Sequence, residues 1–240
     1  CNAEYQCVDE RIVGKMPELL SFSEAAALPL TAITAWELLF DRLGLSKKSG
    51  SSDDIIMVTG AAGGVGSILI QLAETMTGAT VIGTASRPES QAWAKSMGAD
   101  FVVNHHESLE LQLKDVGISQ LTHVASLTHT DQHYQSLVEL LQPQSKFALI
   151  DDPVDLDISL FKRKSISIHW EFMYTRSMFE TKDMSAQRDI LNSVSELVDA
   201  KRLKTTLTQH YGKINAENLT RAHQKIEKGN MVGKVVLEGF

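Results

Sequence analysis

The stretch VTGAAGGVGSILIQLAETMTGATVIGTASR, Val58–Arg87, decides how this chain is read. It leaves an apolar, β-branched run at Ile55–Thr59, which has the character of a strand buried on both faces. A cluster of small residues follows. From Val65 to Met76 apolar residues then recur at helical spacing, Gly78 stops the helix, and Thr80–Ala85 reads as a second strand. Between the first strand and the helix, Ala61-Ala62-Gly63-Gly64-Val65-Gly66 follows the G-x-G-x-x-G pattern with alanine in the first glycine place. A small first residue permits a tight turn, Gly63 lets backbone N–H groups approach a pyrophosphate, and Gly66 lets the helix lie close to the strand. The helix N-terminus then faces phosphate charge. No Gly-Lys-Ser/Thr follows, which disfavours a Walker loop, so the stretch reads as a dinucleotide site with Ala62, Gly63, Gly64, Val65 and Gly66 against the phosphates.

The far end of the stretch selects the dinucleotide. An acidic residue about 20 positions on would accept hydrogen bonds from the ribose hydroxyls of NAD. Here Ser86 and Arg87 stand in that place. A hydroxyl and a guanidinium suit the dianionic 2′-phosphate of NADP, which arginine grips with two parallel hydrogen bonds.

The alternation continues beyond Arg87. Helix Glu89–Met97 stops at Gly98, strand Phe101–Asn104 follows, and a weaker helix over Leu109–Val116 precedes strand His123–Ser126. A helix capped by Thr130 ends before Pro143, and Lys146–Asp151 and Ser165–His169 supply two more strands. Six strands separated mostly by helices predict an α/β fold with a doubly wound, parallel six-stranded sheet of the Rossmann kind. On the N-terminal side, Tyr5–Val13 has strand-like alternation, Ser23 is a candidate helix cap, and Pro29 splits the Ala/Leu-rich stretch into two short helices, the second resuming near Thr31. After the sheet, helix Ala186–Ala200, strand Thr206–Tyr211, helix Ala216–Lys228 and strand Lys234–Phe240 indicate another structural unit.

Composition narrows the function classes. The 240 residues carry a formal charge of −7 and are 43% hydrophobic, enough for a buried core but without a basic field for nucleic acid. The basic groups Lys162–Arg163–Lys164 and Lys201–Arg202 read as solvated surface. No apolar run approaches the roughly 20 residues that span a bilayer, so the expected location is cytoplasmic. The two cysteines, Cys1 and Cys7, read as plain thiols, too few for a disulfide framework or a four-cysteine zinc site.

With these residues in place, the chain resembles the medium-chain dehydrogenase/reductase superfamily, in its zinc-type alcohol dehydrogenase-like and quinone oxidoreductase-like branch. The resemblance rests on AALPLTAITAWELL, VTGAAGGVGSILIQLA, SMGADFVVNH, SLTHTDQHY, FALIDDP, KSISIHWEFMYTRSMF and the terminal GKVVLEGF, and it extends over the whole chain. It implies that residues 1–29 end a GroES-like catalytic domain whose earlier part is missing here, that 30–172 form the dinucleotide-binding domain, and that 173–240 return to the catalytic domain. It also implies further cofactor residues: Thr34, His105 in the place of a tyrosine beside the adenosine, and Ser126, Leu127, Thr128, Ile150, Asp151, Phe172 and Met173 along the nicotinamide. In zinc-dependent relatives a cysteine ligand falls near Leu28–Thr31, where this chain has Pro29 and Leu30. The resemblance therefore implies a zinc-independent enzyme, a homodimer joined edge to edge, and a small carbonyl, enone or quinone substrate.

Other constellations carry less. His129 and His133 have the spacing of paired metal ligands but lack the glutamate of H-E-x-x-H, no G-x-S-x-G elbow occurs, and Asp151–Asp152 end a strand where a loop cap is the plainer role than a catalytic carboxylate. No side chain stands out as the general acid. The expected activity is NADPH-dependent hydride transfer, with a cofactor-binding module inactive in this form as the alternative. The alternation of Ile166 and Ile168 with polar neighbours makes Ser165–His169 the exposed sheet edge at which two copies would pair. The strands Tyr5–Val13 and Lys234–Phe240 have too few companions for a closed barrel and are expected to pair with each other or to stay poorly ordered.

Overall fold

The structure is a computed structural model that describes residues 2–47 and 50–240; Cys1 lies outside the described residues. The chain divides into two compact units, one made of Cys1–Thr34 with Met173–Phe240 and the other of Ala35–Phe172.

The first unit opens with an extended segment whose one regular element is a short 3₁₀ turn at Glu10–Ile12. The strand expected over Tyr5–Val13 does not form. Asp9 accepts the Arg11 backbone N–H at 2.8 Å and its guanidinium at 2.6 Å, a local closure that competes with strand pairing. Helix α1 (Phe22–Ala26) is capped by Ser21, not Ser23: Ser21 and Glu24 close a capping box, while Ser23 is buried within the first turn and donates to Glu238. Helix α2 (Pro29–Trp36) begins on Pro29 itself, because a proline in the first turn lacks only an N–H that would have no helical partner anyway.

A π-helical turn, Glu37–Arg42, continues from α2 into the second unit. There β1 (Ile55–Val58), α3 (Gly64–Met76), β2 (Thr80–Thr84), α4 (Pro88–Ser96), β3 (Phe101–Val103), α5 (Leu109–Asp115), β4 (Leu121–Ser126), α6 (Thr130–Leu140), β5 (Leu141–Leu149), α7 (Ser159–Lys162) and β6 (Ser167–Trp170) follow in turn. The six strands are all parallel, in the order β3-β2-β1-β4-β5-β6. The doubly wound Rossmann-type sheet read from the sequence is present. Met57, Ile82, Val124, Phe147 and Phe161 lie in its core, Phe147 and Phe161 meeting edge to face at 5.3 Å. Each such side chain contributes about 1.5–3 kcal/mol by leaving water.

Two boundaries depart from expectation for local reasons. Thr130 is the first residue of α6 and not its cap, because His129 takes a left-handed conformation in the cap position, with φ 52°. Strand β5 starts at Leu141, well before Lys146, and its early part is irregular: Gln144 has φ 65° after Pro143, and the register with β4 shifts. Lys164 is not solvated surface either. Its ammonium donates to the carbonyls of Val138, Glu139 and Leu141 at 2.7–3.0 Å, closing the C-terminal end of α6.

The first unit resumes with α8 (Thr175–Met178), α9 (Ala186–Asp199), β7 (Leu207–His210), α10 (Ala216–Glu227) and β8 (Lys234–Val236). β8 pairs in parallel with β7 and not with the N-terminal segment. It is shorter than expected. Gly233 and Gly239, at φ 60° and 78°, turn the chain on either side of it. Among the described residues no helix is long and apolar enough to cross a membrane.

Candidate functional site

Open parallel sheets bind ligands outside the carboxyl ends of their strands, where the strand order reverses. In this sheet the reversal lies between β1 and β4. The chain leaves β1 through Gly60, whose φ of 62° favours glycine, and two bonds tie the turn to β2: Gly60 N–H to Thr84 Oγ1 and Ala61 N–H to Thr84 O, both 3.3 Å. Gly63 N–H donates to Gly60 O at 3.0 Å and closes the turn.

The close approach of helix and strand read at Gly66 has a measurable counterpart. A Cβ on Gly66 would stand 2.5 Å from Gly60 O and 2.7 Å from Ala61 O, both backbone atoms, so α3 reaches this depth only because Gly66 has no side chain. The alanine in the first motif place is accommodated from the opposite side. A Cβ on Gly83 would lie 2.8 Å from the Ala61 methyl, so β2 gives up a side chain where the motif gains one. Gly63 is the N-cap of α3 and supplies no capping side chain, and the first turn holds no acidic residue. Gly63, Gly64 and Val65 are half-buried. An uncapped helix of 13 residues thus presents its positive end at the rim of the crevice.

Beyond β2, Ser86 is half-buried and Arg87 is the N-cap residue of α4. The backbone of Arg87 exchanges hydrogen bonds with Ser90 Oγ, and its Nη1 lies 3.1 Å from Glu89 Oε1. The Arg87 side chain is 39% exposed and that of Glu89 68%, and such a solvent-facing pair contributes about 0–1 kcal/mol.

On the β4 side, Leu127 N–H donates to Thr59 Oγ1 at 2.8 Å, joining the two loops that flank the reversal. Thr128 comes so near that a Cβ on Gly60 would lie 2.9 Å from its methyl. Ser126 and Thr130 share a hydroxyl bond of 2.7 Å, and Asp151 accepts from both the N–H and the hydroxyl of Thr130. The Asp151 carboxylate therefore holds the start of α6. Ile150 N–H donates to Ser126 O at 3.3 Å, and Phe172, just past β6, is exposed.

His105 follows β3 and lies against His106 and His133, with ring centroids at 4.5 and 5.6 Å. Burial first, then the charges of neighbouring imidazoles, lower the pKa values of His105 and His133. The pair His129 and His133 gains no third metal donor: among the described residues no three His, Cys, Asp or Glu side chains are grouped to hold a metal. Thr34 and Met173 belong to the other unit; Thr34 donates to Leu30 O at 2.9 Å within α2, and Met173 is buried.

Sequence reasoning missed a group in the Ala35–Phe172 unit. Glu37 and Glu171 are 1% and 3% exposed and meet Arg42. The residues stand far apart in the chain, and nothing in either segment announces the contact.

The domain family described as zinc-binding dehydrogenase matches residues 97–237. A zinc-type alcohol dehydrogenase-like protein of Staphylococcus aureus is 38% identical over 98% of this chain and 71% of its own length. A crystal structure from Rhizobium etli, described as that of a zinc-dependent alcohol dehydrogenase, superposes with a TM-score of 0.95 at 54% identity, over 100% of this chain and 70% of that one. An NADPH-dependent alkenal/one oxidoreductase of Arabidopsis thaliana is 36% identical over 103 residues, 43% of this chain and 25% of its own. The chain belongs to the zinc-binding dehydrogenase family, among the oxidoreductases of the medium-chain dehydrogenase/reductase superfamily.

Proposed function

We propose that this oxidoreductase uses NADPH to reduce a small carbonyl, enone or quinone compound, in the cytoplasm. The observation that carries the cofactor choice is the Ser86–Arg87 pair beyond β2, where a carboxylate would repel a 2′-phosphate and a guanidinium attracts one. Glu89 holds Arg87 only weakly. A phosphate dianion offers the guanidinium two oxygens and more charge than one exposed carboxylate does. The Arabidopsis relative, NADPH-dependent and named for alkenals and alkenones, supports both the cofactor and the substrate class.

The remaining residues fit the rest of the dinucleotide. The open first turn of α3 receives the pyrophosphate through main-chain N–H groups of Gly64, Val65 and Gly66. In this reading His105 borders the adenosine, and Ser126–Thr128, Ile150–Asp151 and Phe172 border the nicotinamide. When bound, the nicotinamide supplies the hydride. The chain's own part is to orient it: Asp151 fixes Thr130 and so the loop Leu127–His129, and the Thr59 hydroxyl fixes Leu127. The described residues do not fit a zinc ion, and no step here is routed through one.

Titration with NADPH and NADH, followed by NADPH oxidation against a panel of aldehydes, enones and quinones, tests this reading. Tighter binding of NADPH and turnover of at least one class are expected. A preference for NADH would overturn the cofactor, and binding of NADPH with no turnover of any class would overturn the reaction.

A further inference from the structure

Three charged side chains of the Ala35–Phe172 unit lie at the carboxyl end of β6, outside the contacts described for the crevice. Glu171 follows the last residue of that strand, and its N–H donates to Leu149 O at 2.9 Å, adding one rung to the β5 edge. Its side chain turns inward and is fully buried. Arg42 Nε donates to Glu171 Oε2 at 2.8 Å, while Arg42 Nη2 lies 3.8 Å from Glu37 Oε2. The π-helical turn makes this possible. Its i→i+5 hydrogen bonding, seen in Leu43 N–H to Leu38 O at 2.9 Å, brings residues five apart onto one side, as Glu37 and Arg42 are.

Two buried carboxyls thus face one guanidinium, and among the described residues Glu171 Oε1 is buried without a hydrogen-bond partner. One guanidinium compensates one carboxylate, and a proton held by the pair removes the second buried charge. Among the described residues, further ionisable groups near the turn are Lys47, whose ammonium lies 4.2 Å from the Trp36 ring centre, Lys146 of β5, whose ammonium is tied to Leu43 O at 2.7 Å, and His169 of β6, whose pKa is lowered by burial and by the charges of Lys146 and Arg42. Among the described residues none of the three forms an ion pair with Glu171, whose cation is Arg42. Burial foremost, then the neighbouring Glu37 carboxyl, push the Glu171 carboxyl up to about 8, against the opposing pull of Arg42.

We propose that Glu37 and Glu171 hold one proton between them at neutral pH, and that this clasp fixes the end of β6 for the nicotinamide half of the cofactor, making Glu171 a positioning residue. The positioning role rests on the nicotinamide reading above; the shared proton rests on the buried geometry. At alkaline pH the proton passes to solvent and two carboxylates are left against one arginine. Their repulsion loosens Glu171 and the adjoining Phe172, and acidification restores the clasp.

Trp170 and Trp36 adjoin Glu171 and Glu37 in sequence and report on the site. The test follows intrinsic fluorescence and NADPH affinity from pH 6 to 10 in the wild-type chain, Glu171→Gln and Glu37→Gln. The wild type is expected to show a one-proton fluorescence step near pH 8 and a Kd for NADPH about tenfold weaker above it, roughly 1.4 kcal/mol. Both variants are expected to lose the step and to bind NADPH with an affinity independent of pH. A wild-type fluorescence trace without the step, or a step that persists in Glu171→Gln, overturns the shared proton. A step without any change in affinity overturns the positioning role. Failure to bind NADPH at pH 7, where the clasp is closed, refutes the cofactor reading and the positioning role with it, while the fluorescence step still decides the proton.

Discussion

In the proposed NADPH site, Arg87 is the one residue set to choose between two cofactors that differ by one phosphate. Its guanidinium rests against Glu89 at 3.1 Å, an exposed contact that screening weakens. Charge-assisted hydrogen bonds to a phosphate contribute on the order of 1.5–3 kcal/mol, roughly ten- to hundredfold in affinity. Arg87→Ala is therefore expected to weaken NADPH binding by about that factor and to leave NADH nearly unchanged, as fluorescence titration of the two cofactors would reveal. Equal losses for both would assign Arg87 to the structure of the α4 start. Raising salt should narrow the wild-type preference, since the contact lies at the surface.

At the scale of elements, legibility followed local signal. β1 and β2 were readable because both are apolar runs packed on two faces and separated by a helix with its own glycine stop. The N-terminal segment carried the alternation of a strand, yet strand pattern is only half of a strand, and the Asp9–Arg11 closure took the other half. The motif glycines were legible, whereas Gly83, which makes room for Ala61, was not, because its role depends on a neighbour across the sheet. Lys164 was misread for the same reason. Three carbonyls at the end of α6 surround its ammonium, a placement that both satisfies orphan acceptors and complements the helix dipole. Lys164→Met is expected to destabilise the protein by about 1–3 kcal/mol in thermal or denaturant unfolding. A loss no larger than that from Lys162→Met, an exposed neighbour, would show that the carbonyls are equally well served by water.

For the whole molecule, the Glu171 carboxyl sets a dependence of stability on pH. Its ordinary value is 4.5 and its folded value about 8, so between those limits the folded chain holds a proton that the unfolded chain has lost. Stability from this group is complete below about 4.5, declines as pH rises, and is gone above about 8. Melting temperature measured against pH should fall over that window in the wild type, and the fall should be shallower in Glu171→Gln; parallel curves would contradict it. Assembly is a second property at this scale. β6 is the outer strand of the sheet and Trp170 on it is 55% exposed, which supports our proposal of a dimer joined at this edge. Light scattering at micromolar concentration should give twice the chain mass, and Trp170→Lys should shift it toward the monomer. A monomeric wild type would refute the edge pairing.

The division of the chain has a bearing on its biosynthesis. The Ala35–Phe172 unit is one uninterrupted segment, whereas the other unit is assembled from segments on either side of it. Lys15 and Leu19 are held by Asn192 and Asp199, Ile12 by Gln187, and Glu24 and Ala27 by Thr205 and Thr206. All of those partners leave the ribosome later. At about 5–20 residues per second, the sheet has time to fold while the segment before it waits for them. For those seconds Ala27 and Leu28, which the folded unit buries, remain open to water and to whatever else meets the nascent chain.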